Sequence, residues 1–379
     1  MVDEHMRCCE KCFGDAEIIS RIKTIKQKGN CDFCGSKNVY TLDIDAAKNS
    51  DTYAPGFIAD FVDLAELFKS SMRPGKSRKL SDFLKSSTSI FSNKIHWDHV
   101  DSLIRELISD SPEISSDFLN QLVEPLYLSD QKQLSEFGIF HGKSWTDFEK
   151  DIKTNNRFHS KIVNDEILQL FFRHNIKIIR SSNQRFYRAR ISDTGKALLP
   201  KEMKITPLGK STSGRLNASG IGYLYLSEDE SVCLSEIKAS VEDVVSIASF
   251  KVKRGKSLFL VDLSAIAKTS LFSFSDDKTT PLMNWENLQK IDESMTKLSS
   301  KDRSEIEYAP TEYISDLIKS TTIPSEIESQ GKEDMLVDGI IYKSTLNNNV
   351  RDLVLFHDDK MSLIKPIKTE RIKGINFYV

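Results

Sequence analysis

The chain has 379 residues, a formal net charge of -2, and hydrophobic and charged fractions of 39% and 28%. This length exceeds what one ordinary hydrophobic core spans, so we expect two or three domains. The balanced charge gives no general attraction to nucleic acid, and no apolar run of about 18 residues is present, which argues against a membrane span. The N-terminal residues lack the apolar core of a signal peptide, so we expect a cytoplasmic protein.

The first 34 residues contain two Cys-x-x-Cys pairs, which are Cys9 with Cys12 and Cys31 with Cys34. Each pair can place two thiolates on one turn, and two such turns supply the four sulfur ligands of a closed structural zinc site. We therefore predict that residues 1–42 form a zinc ribbon with a structural Zn²⁺ ion, in which Cys8 is an alternative to Cys9. Basic residues between the pairs leave nucleic-acid binding by the ribbon open, although a solvated face explains them as well.

Residues 43–180 follow a helical pattern. Apolar residues recur at helical spacing in two long stretches, at 57–68 and at 100–108. Polar segments that contain proline and glycine separate such stretches. We therefore predict a helical domain over residues 43–180.

The tripeptide Gly-Lys-Ser occurs four times in the chain. A phosphate-binding P-loop needs another glycine five residues before each Gly-Lys pair. The four positions concerned hold Ser70, Phe137, Lys204 and Phe250. A nucleoside-triphosphatase of the P-loop class is therefore excluded.

From residue 181 the pattern changes to short apolar stretches that are typical of strands. The stretches are 186–191, 222–226, 244–250, 258–262, 339–342 and 352–356. Helices are predicted at 231–241 and at 311–319. Strands and helices alternate without a regular β-α-β order, so we predict an α+β fold, with a third domain over residues 181–379.

Arginine and glutamate side chains with the chemistry of an anion site lie between residues 184 and 237. Arg188 and Arg190 alternate along a predicted strand and therefore share one face. Arginine is suited to bind phosphate through two hydrogen bonds, and Arg215 follows a glycine in a predicted loop. The residues alone leave a second interpretation open, in which Arg188, Arg190 and Glu236 form a salt-bridge network that supports the domain.

Several segments of the C-terminal half occur in the order and spacing of the RES domain, a family named for an Arg, a Glu and a Ser. They are Phe-Tyr-Arg-Ala-Arg at 186–190, Gly-Arg-Leu-Asn at 214–217, Gly-Tyr-Leu-Tyr-Leu at 222–226, Cys-Leu-Ser-Glu at 233–236, Tyr-Ala-Pro-Thr-Glu-Tyr at 308–313 and Asp-Gly-Ile-Ile-Tyr-Lys-Ser at 338–344. This half of the chain therefore resembles a RES domain. It departs from the family at Glu312, where Gln is more common. The preceding ribbon and helices resemble an extension found on some longer RES proteins.

The resemblance implies both a fold and an activity. RES proteins have a mixed β-sheet domain like that of ADP-ribosyltransferases, and they consume NAD. Some members degrade NAD by hydrolysis or phosphorolysis, others transfer ADP-ribose to a protein, and many are toxins. The resemblance thus implies a hydrolase or phosphorylase that cleaves the nicotinamide–ribose bond and acts as a growth-arresting toxin or defence effector. An ADP-ribosyltransferase that modifies a protein is the alternative.

The resemblance also assigns the site residues. It implies catalytic roles for Glu236, Ser344 and Arg215, and NAD binding by Arg188, Arg190, Tyr225 and Asn217. Glu236 would hold the nicotinamide ribose or activate the acceptor, and Ser344 would bind the ribose or hold Glu236 in place. Arg188 and Arg215 would bind the pyrophosphate, with Arg190 in an assisting or a structural role. Tyr225 would stack on the nicotinamide or form a wall of its pocket.

The expected partners include those that the resemblance implies, NAD and an antitoxin or immunity protein, together with a second copy of the chain. A hypothesis of another class stays open, in which the zinc ribbon and helices bind nucleic acid or protein beside an inactive RES-like half.

Overall fold

The computed structural model describes residues 6–50, 52–115, 117–207, 209–237, 239–274, 277–297, 304–323 and 335–373. The chain divides into two compact units. The first consists of Met1–Gly142 and Ala267–Asn287, and the second of Lys143–Ile266 and Leu288–Val379. No helix in the described part of the chain is long and apolar enough to cross a membrane.

The first unit begins with a small antiparallel sheet. Its strands are β1 (Arg7–Cys9), β2 (Lys28–Gly29) and β3 (Val39–Asp43), in the order β1-β3-β2. Helix α1 (Ala16–Thr24) lies between the first two strands in the chain. It begins at Asp15, whose side chain accepts hydrogen bonds from the backbone N–H groups of Glu17 and Ile18.

Helices make up most of the rest of the first unit. They are α2 (Ile44–Asn49), α3 (Phe57–Glu66), α4 (Leu80–Ser86), α5 (Trp97–Ile108) and α6 (Gln131–Phe137), with a two-stranded sheet of β4 (Phe68–Ser70) and β5 (Val123–Pro125). The two stretches predicted to be helical form α3 and α5. Their apolar residues, such as Phe61 and Leu103, are buried in one core, and each such side chain contributes roughly 1.5–3 kcal/mol.

The second unit is built on an eight-stranded mixed sheet. The strands are β6 (Ile176–Arg180), β7 (Phe186–Ile191), β8 (Leu224–Ser227), β9 (Val244–Val252), β10 (Ser257–Asp262), β11 (Gly339–Lys343), β12 (Arg351–Leu355) and β13 (Met361–Arg371). Their order is β13-β9-β7-β8-β12-β11-β10-β6. Strands β10 and β11 are parallel, and the other described pairs are antiparallel.

Seven further helices complete the described structure. They are α7 (Trp145–Thr154), α8 (Asp165–His174), α9 (Glu230–Glu236), α10 (Leu263–Ile266), α11 (Thr279–Thr296), α12 (Ser304–Glu307) and α13 (Ala309–Lys319). Helix α9 packs against β7 and β8. Cys233 of α9 is buried there with Ala189 and Ile247 of the sheet. This packing fixes where the last residue of α9, Glu236, lies relative to the sheet.

The α+β fold class is confirmed, with a cysteine cluster near the N-terminus and the large sheet in the C-terminal part. Two local predictions differ from the structure. Residues Ile176–Arg180 were expected to be helical but form β6, because their isoleucines favour a strand and pair with the edge of β10. The predicted helix at 231–241 ends at Glu236. The division into domains at 1–42, 43–180 and 181–379 remains a prediction, and α7, α8 and β6 lie in the second unit.

Candidate active site

The side chains of Glu236 and Ser344 meet on the second unit. Ser344 Oγ donates a hydrogen bond to Glu236 Oε1 at 2.7 Å. Ser344 is fully buried and follows β11, and its backbone N–H donates to the Val350 carbonyl at 2.9 Å in the connection to β12. The serine is therefore held by its own backbone, and it fixes the orientation of the glutamate carboxylate.

Glu236 is the last residue of the short helix α9, which is capped at its N-terminus. The Asp229 side chain accepts from the backbone N–H groups of Ser231 and Val232 at 2.8 and 3.0 Å. Val232 and Cys233 are the buried residues of this helix. Glu236 lies about one turn beyond Cys233 and is half-buried, so its carboxylate borders the sheet and remains accessible.

A cavity of about 230 Å³ opens beside Glu236. It is lined by Tyr187, Arg188, Ala189, Tyr225, Leu226, Ser227, Cys233, Glu236, Ile237 and Tyr342. The lining therefore combines one guanidinium, one carboxylate and three tyrosine rings. A cleft with a few charged groups and aromatic walls is typical of a small-molecule site.

Arg188 carries a positive charge into this cavity without a carboxylate partner among the described residues. Its Nη1 donates to the Tyr225 carbonyl at 3.4 Å, and its Nε is buried with no hydrogen-bond partner in the described structure. Burial, followed by the charge of Arg190, lowers the pKa of Arg188 to about 10. A buried guanidinium with free donors favours an anion as its ligand.

The other two arginines are turned toward backbone carbonyl groups. Arg190 Nη1 donates to the Glu202 carbonyl at 2.7 Å, and Arg215 Nη1 donates to the Met295 carbonyl. Arg215 Nε is buried without a partner in the described structure, as in Arg188. No ion pair joins any of the three arginines to Glu236 within the described residues, so the salt-bridge network is not what the structure forms.

Tyr225 and Asn217 form a second hydrogen-bonded pair. Tyr225 Oη donates to Asn217 Oδ1 at 2.7 Å and accepts from the Leu216 backbone N–H at 3.3 Å. Asn217 is buried, and its Nδ2 donates to the carbonyls of Thr212 and Ile221 at 3.0 and 2.8 Å. Asn217 thus uses its amide to hold the loop, while the ring of Tyr225 lines the cavity.

Gly214 is required by this pair. A Cβ at position 214 would lie 2.6 Å from Asn217 Oδ1 and 3.0 Å from Tyr225 Oη. Both distances are shorter than a normal carbon–oxygen contact. Because Gly214 has no side chain, the loop at residues 214–217, the arginine loop, can pass directly beside the hydrogen bond.

The segment that begins α13 anchors the same loop. Thr311 Oγ1 donates to the Arg215 carbonyl at 2.5 Å, and Ser213 Oγ donates to Glu312 Oε1 at 2.7 Å. Burial raises the pKa of the Glu312 carboxyl group. Glu312 is therefore the hydrogen-bond acceptor for Ser213, two positions before Arg215.

Asp352 is a site residue that the sequence pattern did not single out. It is 1% exposed and lies on β12, opposite Ser227 of β8 and Tyr342 of β11. Burial, followed by the neighbouring Glu236, raises the pKa of Asp352 to about 8. The available signal was an acidic residue in a strand that is otherwise apolar, but the same pattern occurs where a strand simply ends at the surface.

The predicted residues fall into two groups. Glu236, Ser344, Arg188 and Tyr225 come together at the cavity. Arg190, Arg215 and Asn217 are not among the lining residues of this cavity: the two arginines donate to backbone carbonyl groups, and Asn217 accepts a hydrogen bond from the lining residue Tyr225. Their individual roles toward NAD remain predictions.

The four predicted zinc ligands of the first unit form one cluster. The sulfur atoms of Cys9, Cys12, Cys31 and Cys34 all lie within 4.8 Å of one another. The Cys12–Cys31 and Cys9–Cys34 sulfur distances are 3.4 and 3.5 Å. Four sulfurs at about 2.3 Å from a tetrahedral Zn²⁺ ion stand about 3.8 Å apart, so the cluster fits this ion.

Cys8 lies outside the cluster. It pairs with Leu42 in the register of β1 and β3 and is fully buried. Successive side chains of a strand point to opposite faces, so Cys9 and Cys8 cannot both turn toward the same ion. The direction of the side chains on β1 therefore determines that Cys9, and not Cys8, belongs to the cluster.

A second cavity, of about 670 Å³, lies in the first unit. Its charged lining residues are acidic except for Lys48. Lys48 is itself paired with Asp110 at 2.6 Å. An acidic cavity does not suit a phosphate compound, so the smaller cavity at Arg188 is the better candidate for an anionic substrate.

Comparison with protein-family models matches residues 185–373 to the RES domain. No curated protein and no solved structure matches the chain.

Proposed function

The C-terminal half of this chain, residues 185–373, is a RES domain, and we propose that it is an enzyme that consumes NAD by cleaving the bond between nicotinamide and ribose. Water or phosphate is the proposed acceptor, which makes the enzyme a glycohydrolase or a phosphorylase. One observation carries the proposal. Arg188, which lacks a carboxylate partner among the described residues, and Glu236, which accepts a hydrogen bond from Ser344, line the same cavity region.

The charge of the arginines supports a substrate with phosphate groups. NAD carries two negative charges on its pyrophosphate, and guanidinium groups bind such oxygens through paired hydrogen bonds. Arg188 and Arg215 each have a buried Nε without a partner in the described structure. Binding of an anion would satisfy these donors and would offset the cost of burying the charge of Arg188.

The size of the cavity favours partial entry of the substrate. Its volume of about 230 Å³ is smaller than the roughly 300–1,000 Å³ of sites that enclose a whole drug-sized ligand. We infer that the nicotinamide riboside end enters the cavity and that the rest of the dinucleotide lies outside it. The rings of Tyr187 and Tyr225 supply flat surfaces on which nicotinamide can stack.

The proposed reaction requires the protein mainly to position the substrate and to stabilise a positive charge on the ribose. The bond from the ribose C1′ to the pyridinium nitrogen breaks, and its electron pair neutralises the departing nicotinamide. The ribose becomes cationic like an oxocarbenium ion, which the Glu236 carboxylate stabilises. Water or phosphate then adds to C1′, and a proton from water passes to Glu236 or to solvent.

The biological role follows from the loss of NAD. Continuous cleavage would deplete the cell of a cofactor and arrest growth, so we propose a toxin or defence effector that an antitoxin or immunity protein controls. An ADP-ribosyltransferase uses the same first step and differs only in the acceptor. Both activities therefore require Glu236 and Arg188.

The test is nicotinamide release from NAD by the purified full chain, with adenosine-labelled NAD to follow the second product. Free ADP-ribose indicates hydrolysis, a phosphate-dependent phosphorylated ADP-ribose indicates phosphorolysis, and label on protein in a cell extract indicates transfer. Glu236→Gln removes the proposed catalytic carboxylate. Glu242→Gln is the matched control, because Glu242 is an exposed residue paired with Arg371.

Equal nicotinamide release by the wild type and Glu236→Gln would overturn the proposed function. Absence of release under all three acceptor conditions would overturn it as well. In that case, a nucleic-acid gel shift that requires the four clustered cysteines would favour the alternative of a zinc-ribbon binding module.

A further inference from the structure

Asp352 has a buried carboxyl group for which the proposed chemistry has no role so far. It is 1% exposed on the central strand β12. Neither of its oxygens has a hydrogen-bond partner of normal geometry in the described structure, and no cation pairs with it there. An ionised carboxylate in such a place is costly, whereas a protonated one is tolerated.

The groups that face Asp352 come from every element around it. Ser227 of β8 and Tyr342 of β11 lie directly opposite in register. Glu236 at the end of α9 and Ser344 after β11 act on its carboxyl group at short range, although neither meets the geometry of a hydrogen bond. Asp352 therefore adjoins the pair formed by Glu236 and Ser344 and is not among the lining residues of the cavity.

The remaining charged and titratable neighbours are arranged around the same point. Burial, followed by the Asp352 carboxyl group, raises the pKa of Tyr342. Burial, followed by Glu236 and then Asp352, raises the pKa of Cys233. Two cations oppose these shifts: the charge of Arg188 lowers the pKa of Cys233, and the charge of Arg215 lowers the pKa of Tyr342. The two carboxyl groups therefore adjoin each other, and neither Arg188 nor Arg215 forms an ion pair with Asp352 in the described structure.

We propose that Asp352 is a positioning residue that holds the proton of a carboxyl pair with Glu236, so that a neutral Asp352 supports an ionised Glu236. Two adjacent carboxylates in a buried site repel each other, and one of them is kept protonated as a result. The protonated group can donate a hydrogen bond to Glu236 after a small adjustment, while Ser344 donates a second one. This inference rests on the proposed function, because it assigns the ionised partner to NAD cleavage.

The proposal predicts how the activity responds to alkaline pH. When Asp352 loses its proton, the pair becomes doubly negative and Glu236 is pushed from its position. Burial and Glu236 raise the pKa of Asp352 to about 8. Nicotinamide release should therefore decline as the pH rises through this value.

Two substitutions separate the proton from the volume of the side chain. Asp352→Asn keeps the size, stays neutral at every pH and can donate a hydrogen bond, so its pH profile should lack the alkaline decline. Asp352→Ala removes the support, and a misplacement of Glu236 by about 1 Å would lower kcat by roughly 100-fold with a smaller change in KM. Asparagine should restore most of the activity that alanine loses.

An infrared measurement tests the proton without substrate. A band of a protonated carboxyl group should be present in the wild type at pH 7, titrate near pH 8 and disappear in Asp352→Asn. Glu312→Gln serves as the control, because it alters another buried carboxyl group and should leave the band of Asp352 in place. This readout also separates the two proposals. If the band behaves as expected but the protein releases no nicotinamide, the proposed function is overturned, whereas the protonation of Asp352 is upheld.

The contrary results are equally specific. An alkaline decline that is unchanged in Asp352→Asn would overturn the inference. A folded Asp352→Asn protein as inactive as Glu236→Gln would overturn it too, because the ionised form of Asp352 would then be the one required.

Discussion

Ser344 Oγ lies 2.7 Å from Glu236 Oε1, although the two residues are 108 positions apart in the chain. The glutamate ends a helix on one side of β8, and the serine follows a strand that pairs with β12. Strand β12 lies between β8 and β11 in the sheet and brings the two side chains together. The proposed catalytic carboxylate is therefore oriented by the sheet and not by its own helix.

The first prediction concerns this hydrogen bond. Ser344→Ala should lower kcat for nicotinamide release, because the carboxylate loses a neutral donor and gains rotational freedom. A hydrogen bond to a charged group contributes about 1.5–3 kcal/mol, which corresponds to a loss of roughly 10- to 150-fold. Ser344→Thr is a poor rescue because the site is fully buried, whereas Ser344→Cys retains the volume without a strong donor. An unchanged kcat in Ser344→Ala and in Ser344→Cys would contradict the proposal that Ser344 orients Glu236.

The second prediction concerns Arg188. Arg188→Gln should lower kcat/KM for NAD, mainly by raising KM, because it removes the proposed ligand of the pyrophosphate. The expected loss corresponds to about 2–5 kcal/mol of free energy. The same change should leave the thermal midpoint of the free protein equal or higher, since it removes a buried charge that lacks a counter-charge.

Steady-state kinetics and thermal unfolding of one preparation give both results for Arg188→Gln. Arg371→Gln is the control, because Arg371 forms an exposed ion pair with Glu242 at 3.0 Å. A lower thermal midpoint together with an unchanged KM would mean that Arg188 is a structural residue.

The third prediction concerns the arginine loop. Gly214→Ala should destabilise the protein by about 1–3 kcal/mol, because the new methyl group would displace Asn217 Oδ1 and Tyr225 Oη from their hydrogen bond. Tyr225→Phe removes the same hydrogen bond without the added methyl group. Since both changes affect one contact, their effects on unfolding in urea should be less than additive. Additive effects would show that the loop is held by other contacts.

The fourth prediction concerns zinc. The purified chain should contain about one zinc ion, and Cys12→Ala should lose it, because all four clustered sulfurs are needed to close the site. Cys8→Ala should keep the metal, since Cys8 lies outside the cluster. Elemental analysis after dialysis gives the metal content. A loss of zinc in Cys8→Ala equal to that in Cys12→Ala would contradict the ligand assignment.

The fifth prediction concerns stability and pH. The pKa of Asp352 is raised from 3.8 to about 8 on folding, so the folded state binds a proton that the unfolded state has lost within this range. Stability from this group is therefore present at low pH and is lost as the pH rises from about 4 to about 8, by at most about 1.4 kcal/mol per pH unit. Asp352→Asn should become progressively more stable than the wild type across that window.

Urea unfolding at several pH values measures this difference. Asp193→Asn is a control at an exposed position, and its stability relative to the wild type should not vary in the same way. A constant difference between Asp352→Asn and the wild type from pH 4 to pH 8 would mean that Asp352 is already ionised in the folded protein.

The strands of the second unit were predicted closely where apolar residues run without interruption. The stretch at 186–191 coincides with β7, and 258–262 differs from β10 by one residue. Long side chains that carry charge concealed other strands. No strand was predicted at Met361–Arg371, where basic residues are frequent, yet this segment forms β13 and pairs with β9 at the edge of the sheet, where charged side chains remain in water.

Residue types and spacing in the sequence were sufficient to predict the cysteine cluster and the α+β class. These features depend on short motifs, each of which specifies its own turn or strand. The roles of Glu236 and Ser344 were implied by the resemblance to the RES domain, and they remain predictions. Strand register and packing were needed to determine that Arg188 has no carboxylate partner in the described structure, that Asn217 holds the loop, and that Asp352 adjoins Glu236. Such contacts join residues that are far apart in the chain, and their energies depend on burial, which no local pattern records.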